Sequence, residues 1–294
     1  MLTFDWWVDE PAVVKQFLKK KGISRRLLSR IKFHGGNIYV NERQAIATRQ
    51  LAVGDHIRVV LPPEGKQEII PPIDQAIDIL YEDDHYIAVN KPAGYTSIPS
   101  QYNPQGSMAN ILKAYYQRQD YANQVIHVVT RLDRDTSGIM LFAKHAFAHS
   151  LIDKILQQKQ IMKQYLAITD KLVGDHAHGF IEAPIGRSPN SIIERQVSVD
   201  GKPAMTEYEL WKQDPRFNYY RVILHTGRTH QIRVHFAHCQ APLVGDDLYG
   251  GSLAYGIERQ ALHCQKISFV HPISEQKITI EAPVPQDLQE LSQQ

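Results

Sequence analysis

Residues 62–74, Pro-Pro-Glu-Gly-Lys-Gln-Glu-Ile-Ile-Pro-Pro-Ile-Asp, hold four prolines and no clear period. Proline lacks the N–H that a helix or a sheet ladder uses, so no regular element runs through this stretch. It reads as a linker. The chain of 294 residues is thereby expected to divide into a small module over residues 10–61 and one large domain over residues 75–294. The second piece, ~220 residues, lies within the range that single mixed domains reach.

The small module is basic. Lys15, Lys19, Lys20, Lys21, Arg25, Arg26, Arg30 and Lys32 follow one another with no Asp or Glu among them. Apolar residues run through the block at helical spacing: Val14, Phe17 and Leu18 make one stripe, and Leu27, Leu28 and Ile31 another. Gly22 is placed to end the first helix and Ser24 to cap the second. Past Gly35-Gly36 the pattern changes to the short strands Ile38–Val40 and Ile57–Leu61. A bare charge run is usually a solvated face. This one, on two short amphipathic helices, resembles the S-four (alpha-L) RNA-binding domain. The resemblance implies that Lys15, Lys19, Lys20, Arg25, Arg26, Arg30 and Lys32 contact RNA phosphates, which supplies affinity without reading sequence. The proline-rich linker suggests that the module moves relative to the core.

In the large domain, strands are expected at Ile77–Tyr81, Tyr86–Asn90, Ile139–Lys144, Gln164–Thr169, Tyr219–His225 and Lys277–Ala282. Helices are expected at Met108–Arg118 and Ala146–Gln158, and Asp83-Asp84 reads as a hairpin turn. Strands do not alternate regularly with helices, so the class is α+β with a mainly antiparallel mixed sheet. No apolar run approaches the ~18 residues of a membrane span, and the N-terminus lacks a secretory pattern; a cytoplasmic protein away from membranes is expected. The two cysteines, Cys239 and Cys264, form no paired-ligand motif.

The stretch richest in chemistry is Thr130-Arg131-Leu132-Asp133-Arg134-Asp135-Thr136-Ser137-Gly138, a polar turn between two β-rich runs. On chemistry alone it could be a surface turn laced by ion pairs such as Arg131 with Asp135. Its RLDRDTSG run, however, resembles the catalytic motif of the RluA/RluD-type RNA pseudouridine synthases. Three further blocks occur in that family's order: Tyr81–Gly94, Lys163-Gln164-Tyr165-Leu166-Ala167, and His225–His235 followed by Pro242-Leu243-Val244-Gly245-Asp246. Four blocks in order say far more than one short motif. One departure stands out: many members carry His before Arg-Leu-Asp, where this chain has Thr130.

The resemblance implies an active-site Asp133, which must be ionised near the nucleotide, and Arg233 as its partner. An arginine within ~4–6 Å favours a charged carboxylate, and its planar fork suits the pairing. It implies Tyr165 as a catalytic residue that stacks under an extruded base and helps remove the C5 proton, and Leu262 as an apolar wall. Arg131, Arg228 and Lys91 are candidates for phosphate contacts. It further implies an isomerase that needs no cofactor and no metal, acts as a monomer on structured RNA, and takes ribosomal RNA in preference to transfer RNA. Three other readings fit the residues less well. An aspartic protease would need a second Asp-Thr-Gly-like copy, which is absent. A metal site among His225, His230, His235, His238 and Cys239 lacks the usual spacings. A non-catalytic RNA-binding or ribosome-assembly protein on the same fold would have no use for Asp133, Tyr165 and Arg233 together.

Overall fold

The computed structural model describes residues 2–65, 70–99 and 104–291. Part of the expected linker, residues 66–69, lies outside the described residues.

At the N-terminus, strands Thr3–Trp7, His56–Val60, Asn37–Val40 and Arg43–Gln44 pair in that order, all antiparallel. The sheet thus takes in a strand ahead of the boundary expected at residue 10. Helices Val14–Lys20 and Arg25–Phe33 cover it. Ser24 opens the second helix by accepting the Leu27 N–H at 3.1 Å, which satisfies one of the donors a helix start leaves free. Val14, Phe17, Leu18 and Ile31 are buried against Ile38, Ile57 and Val59. Because the apolar stripes face inward, the lysines and arginines between them are left outside.

This unit is seated on the rest of the chain. Phe147 belongs to its apolar cluster, and Leu151 packs against it. Gly22 lies so close to Leu151 that a Cβ there would come within 2.4 Å of that side chain. The linker is also tied down at Glu64. Its carboxylate accepts the Ala146 N–H at 2.5 Å and pairs with His127 Nε2 at 2.6 Å. Burial works against the Glu64 charge, but His127 and the Ala146 N–H outweigh it and hold the carboxyl below its usual range.

The large domain is built on a sheet of ten strands among the described residues. Its main run is 178–182, 205–213, 218–224, 162–169, 262–270, 137–143, 86–91 and 79–82; strand 277–281 pairs with 262–270, and 127–128 with 137–143. The class is α+β, and the sheet is mostly antiparallel. Its central strands are covered on both faces. Along 137–143, Ile139 and Leu141 enter one apolar cluster while Met140 and Phe142 enter another, the period of two expected of a strand. Helix Met108–Arg118, opened by a Ser107–Asn110 capping box, covers the second face. Helices Ala146–Gln157 and Gln231–His238 cover the first.

One junction departs from the antiparallel rule. Strands 137–143 and 262–270 run parallel through Ser137–His263 and Gly138–Cys264. Gly138 has φ +109°, and a Cβ there would lie 2.3 Å from the Cys264 carbonyl oxygen. Only glycine fits at this closing point of the Asp133 turn. Gly138→Ala is expected to destabilise the fold by about 3 kcal/mol or more, read by urea denaturation. A melting curve unchanged from wild type would contradict the close approach.

Candidate active site

Asp133 sits on the turn between strands 127–128 and 137–143, and the turn is held from several sides. Thr130, the residue that departs from the common pattern, is buried, and its Oγ1 accepts the Leu141 N–H at 2.9 Å. Ser97 Oγ accepts the Leu132 N–H at 2.9 Å and donates to the Leu132 carbonyl at 2.7 Å, clamping the residue before Asp133. Lys91 donates to the Arg134 carbonyl at 2.6 Å and to the carbonyls of Tyr95 and Pro92 at 2.8 and 2.9 Å.

That arrangement corrects the expectation for Lys91. Its side chain is fully buried and its three donors are spent on carbonyls, so it fastens the turn instead of reaching a phosphate. Burial lowers its pKa to about 7, against the pull of Asp135 and then Asp133. The ion pair on the turn is likewise Arg134 with Asp135, at 2.9 Å.

Helix Gln231–His238 brings Arg233 to the carboxylate. Gln231 orders the preceding turn, its Oε1 accepting from the Arg228 N–H at 3.0 Å and the Thr226 hydroxyl at 2.8 Å. His230 takes φ +58° at the helix start, and its Nδ1 meets the Tyr249 hydroxyl at 2.8 Å. Arg233 is buried. Its Nε and Nη2 both donate to Asp246 at 2.7 Å, its face lies over the Tyr249 ring, and Nη1 stands 3.6 Å from Asp133. Burial opposes the guanidinium charge, but the Asp246 bonds and charge, followed by the charge of Asp133, more than restore it. The Asp246 side chain is completely enclosed, whereas that of Asp133 keeps about a quarter of its surface open. The fork is therefore anchored on one carboxylate and presents its free edge to the other.

Tyr165 and Leu262, on adjacent strands, form the apolar wall of the same cavity, whose volume is about 870 Å³. Burial raises the Tyr165 phenol well above its ordinary pKa. Arg131 is exposed at the rim; Arg228 also borders the cavity, and its Nε donates to the Pro203 carbonyl at 3.0 Å. The structure thus brings Asp133, Tyr165, Arg233, Leu262, Arg131 and Arg228 to one cavity.

The basic residues of the N-terminal helices lie apart from it. Lys15, Lys19, Lys20, Arg25, Arg26 and Lys32 are exposed, and Arg30 is half-buried with Nη2 donating to the Pro63 carbonyl at 3.2 Å. Lys20 pairs with Glu10. The histidines from 225 to 235 have separate partners: His225 meets Glu207, His230 meets Tyr249, and His235 lies between Thr206 and the Ala183 carbonyl.

The sequence alone does not reveal the parts played by Asp246, Tyr249, His230 and Ser97. Asp246 closes the Pro242–Asp246 run, but nothing in the sequence says which carboxylate anchors the arginine and which is left open. Ser97 lies 35 residues from Leu132 and carries no local signal.

A family model described as RNA pseudouridylate synthase matches residues 85–238. The chain is 42% identical to an uncharacterized RNA pseudouridine synthase of Bacillus subtilis, YjbO, over 95% of this chain and 97% of that one. It is 39% identical to a ribosomal large subunit pseudouridine synthase D of Xanthomonas campestris, over 81% of this chain and 75% of the other. The chain belongs to the RNA pseudouridylate synthase family. It is an isomerase that acts on RNA. Its fold is similar to that of human RNA pseudouridylate synthase domain containing 4, with a TM-score of 0.60 at 20% identity, covering 74% of this chain and 92% of that one.

The two carboxylates of this pseudouridine synthase should differ in what they cost to remove. Asp246→Ala strips a buried guanidinium of its enclosed partner and is expected to destabilise by about 3–5 kcal/mol. Asp133→Asn, at a longer and partly open contact, is expected to cost no more than about 1 kcal/mol. Urea denaturation of both variants checks the order, and equal losses would contradict it.

Proposed function

We propose that this enzyme isomerises uridine to pseudouridine in structured large-subunit ribosomal RNA, with Asp133 as the carboxylate that acts on the nucleotide. The observation that carries the reading is the meeting of Asp133 with Arg233 at 3.6 Å, in a cavity walled by Tyr165 and Leu262. Isomerisation breaks the N1–C1′ bond, turns the uracil and joins C5 to C1′, releasing the C5 proton. A positioned, ionised carboxylate at the sugar serves such a sequence. Arg233, 3.6 Å away, orients the Asp133 carboxylate. Tyr165 offers a flat apolar surface to an extruded base, which offsets part of the few kcal/mol that leaving the stack costs. Arg131 and Arg228 sit where the flanking phosphates would pass.

Residues 10–61 take the part of an S4-like RNA-binding domain in this reading. Support comes from the exposed basic residues on two helices whose apolar sides are packed away. The module also leans on helix 146–157 near Leu151, while Leu156 and Gln157 at the far end of that helix border the cavity. At 1.5 Å per residue the two points are within roughly 10 Å along the helix, so one folded RNA could touch both. Ribosomal RNA as substrate draws on the relatives named ribosomal large subunit pseudouridine synthase D.

Two experiments test the proposal. Tritium release from RNA labelled at uridine C5 is expected from wild type on ribosomal RNA and is expected to fall to background for Asp133→Asn. Release by both proteins would remove Asp133 from the chemistry. Silence from both, with binding retained, would point to a protein that only binds RNA. Replacing Arg25, Arg26 and Arg30 with Ala is expected to weaken RNA binding and flatten the log Kd against log salt plot by about 2–3. An unchanged slope would remove that face from the RNA contact.

A further inference from the structure

Lys163 stands two residues before Tyr165 on strand 162–169, and side chains two apart share a face. Both open into the cavity that holds Asp133. The other cations there already have protein partners or lie at the rim. Arg233 is forked to Asp246 and faces Asp133, Arg134 pairs with Asp135, and Arg228 donates to the Pro203 carbonyl. Arg131 and Lys159 are exposed. Among the described residues, no hydrogen bond or ion pair engages the Lys163 ammonium. The group that acts on it electrostatically is the Cys264 thiol, which burial pushes up to about 12 and so keeps neutral. Burial also holds the lysine below its ordinary pKa. A half-buried cation without a counter-charge is costly to maintain, and the missing charge has to come from what enters the cavity.

We propose that Lys163 is a further catalytic residue, donating a hydrogen bond to a carbonyl oxygen of the target uracil as the base leaves the ribose. The inference rests on the function proposed above. When the N1–C1′ bond breaks, its electron pair stays on N1 and spreads to O2 and O4 of the uracil anion. On the sugar side, either Asp133 bonds to C1′ or it takes the C2′ proton. Lys163 keeps its own proton throughout and stabilises the charge on oxygen. Once the ring has turned, C5 joins C1′, Asp133 releases C1′ or returns the C2′ proton, and the C5 proton leaves to water. A donor aimed at charge that appears only during reaction favours the transition state over bound substrate. The placement fits the base better than a phosphate. Lys163 lies about 7 Å along a rigid strand from the Tyr165 platform, within reach of the edge of a ring resting there. Phosphates would keep to the rim, where Arg131 and Lys159 are exposed.

The test compares the full-length wild type with Lys163→Met and Lys163→Arg, on whichever RNA wild type modifies. Single-turnover rate at saturating RNA and Kd are measured separately. Lys163→Met is expected to lower the saturating rate about 10²–10³-fold with Kd unchanged within about twofold, and Lys163→Arg to recover at least about tenfold of the loss. Lys163→Gln repeats the measurement should the Met variant melt early. A weakened Kd with the saturating rate intact would make Lys163 a phosphate contact and overturn the proposal, as would an unchanged rate. Wild type inactive on every RNA would sink the function reading itself, whereas an active wild type with an equally fast Met variant would sink only the role of Lys163.

Discussion

A buried guanidinium shared unequally between two carboxylates organises this molecule. Enclosing Arg233 is unfavourable unless its charge and donors are satisfied, and Asp246 does most of that work with two bonds of 2.7 Å. Tyr249 closes over the face of the fork and is in turn tied to His230 at the start of the same helix. The geometry leaves one edge of the fork for Asp133 at 3.6 Å, long enough that the carboxylate is oriented without being locked away. Had both carboxylates been enclosed equally, the pair would be a structural ion bridge with nothing left for a substrate. The asymmetry lets a partly open carboxylate coexist with a stable core.

The same division runs through the rest of the charged residues. Lys91 is consumed in holding carbonyls, and Arg259 donates to the Asp135 carbonyl while pairing with Asp287. These buried cations build the platform on which Asp133 is presented. Lys15, Lys19, Lys20, Arg25, Arg26 and Lys32 on the N-terminal helices are exposed, so stability hardly depends on their charges. A net charge of +2 says little about either group, because one set is neutralised inside and the other is concentrated on one small unit.

Much of this could be read from the sequence, and the misses have physical causes. Short apolar runs bounded by turn residues, such as 86–91 and 137–143, and capped helices such as 108–118 emerge from composition and punctuation. Strand 262–270 does not, since its pairing with 162–169 shifts register opposite Gln164–Tyr165 and the bulge breaks the alternation. Helix 231–238 is hidden for another reason: Gln231 through Phe236 are all buried, so there is no polar face to set a period. Family resemblance pointed to residues that share one cavity, whereas Lys91, a candidate phosphate contact in the sequence, turns its ammonium to carbonyls, a direction that no sequence records. Asp246 and Ser97 act across the fold, and contacts that long leave no local trace in a sequence.

Thr130 shows how a departure from a common pattern can be absorbed. Where many relatives are expected to carry histidine, its hydroxyl takes the Leu141 N–H, and the Val129 and Thr130 N–H groups both turn to the Leu141 carbonyl. A buried ladder group left unpaired there would cost on the order of 1–3 kcal/mol, so a short acceptor at this position has a definite task. Together with Ser97 on one flank and Gly138 on the other, it fixes the turn by backbone bonds rather than by side-chain packing. Such a turn places Asp133 through contacts that do not involve the carboxylate itself. That is why the Asp133 side chain can remain partly open to the cavity while the backbone beneath it is held in place.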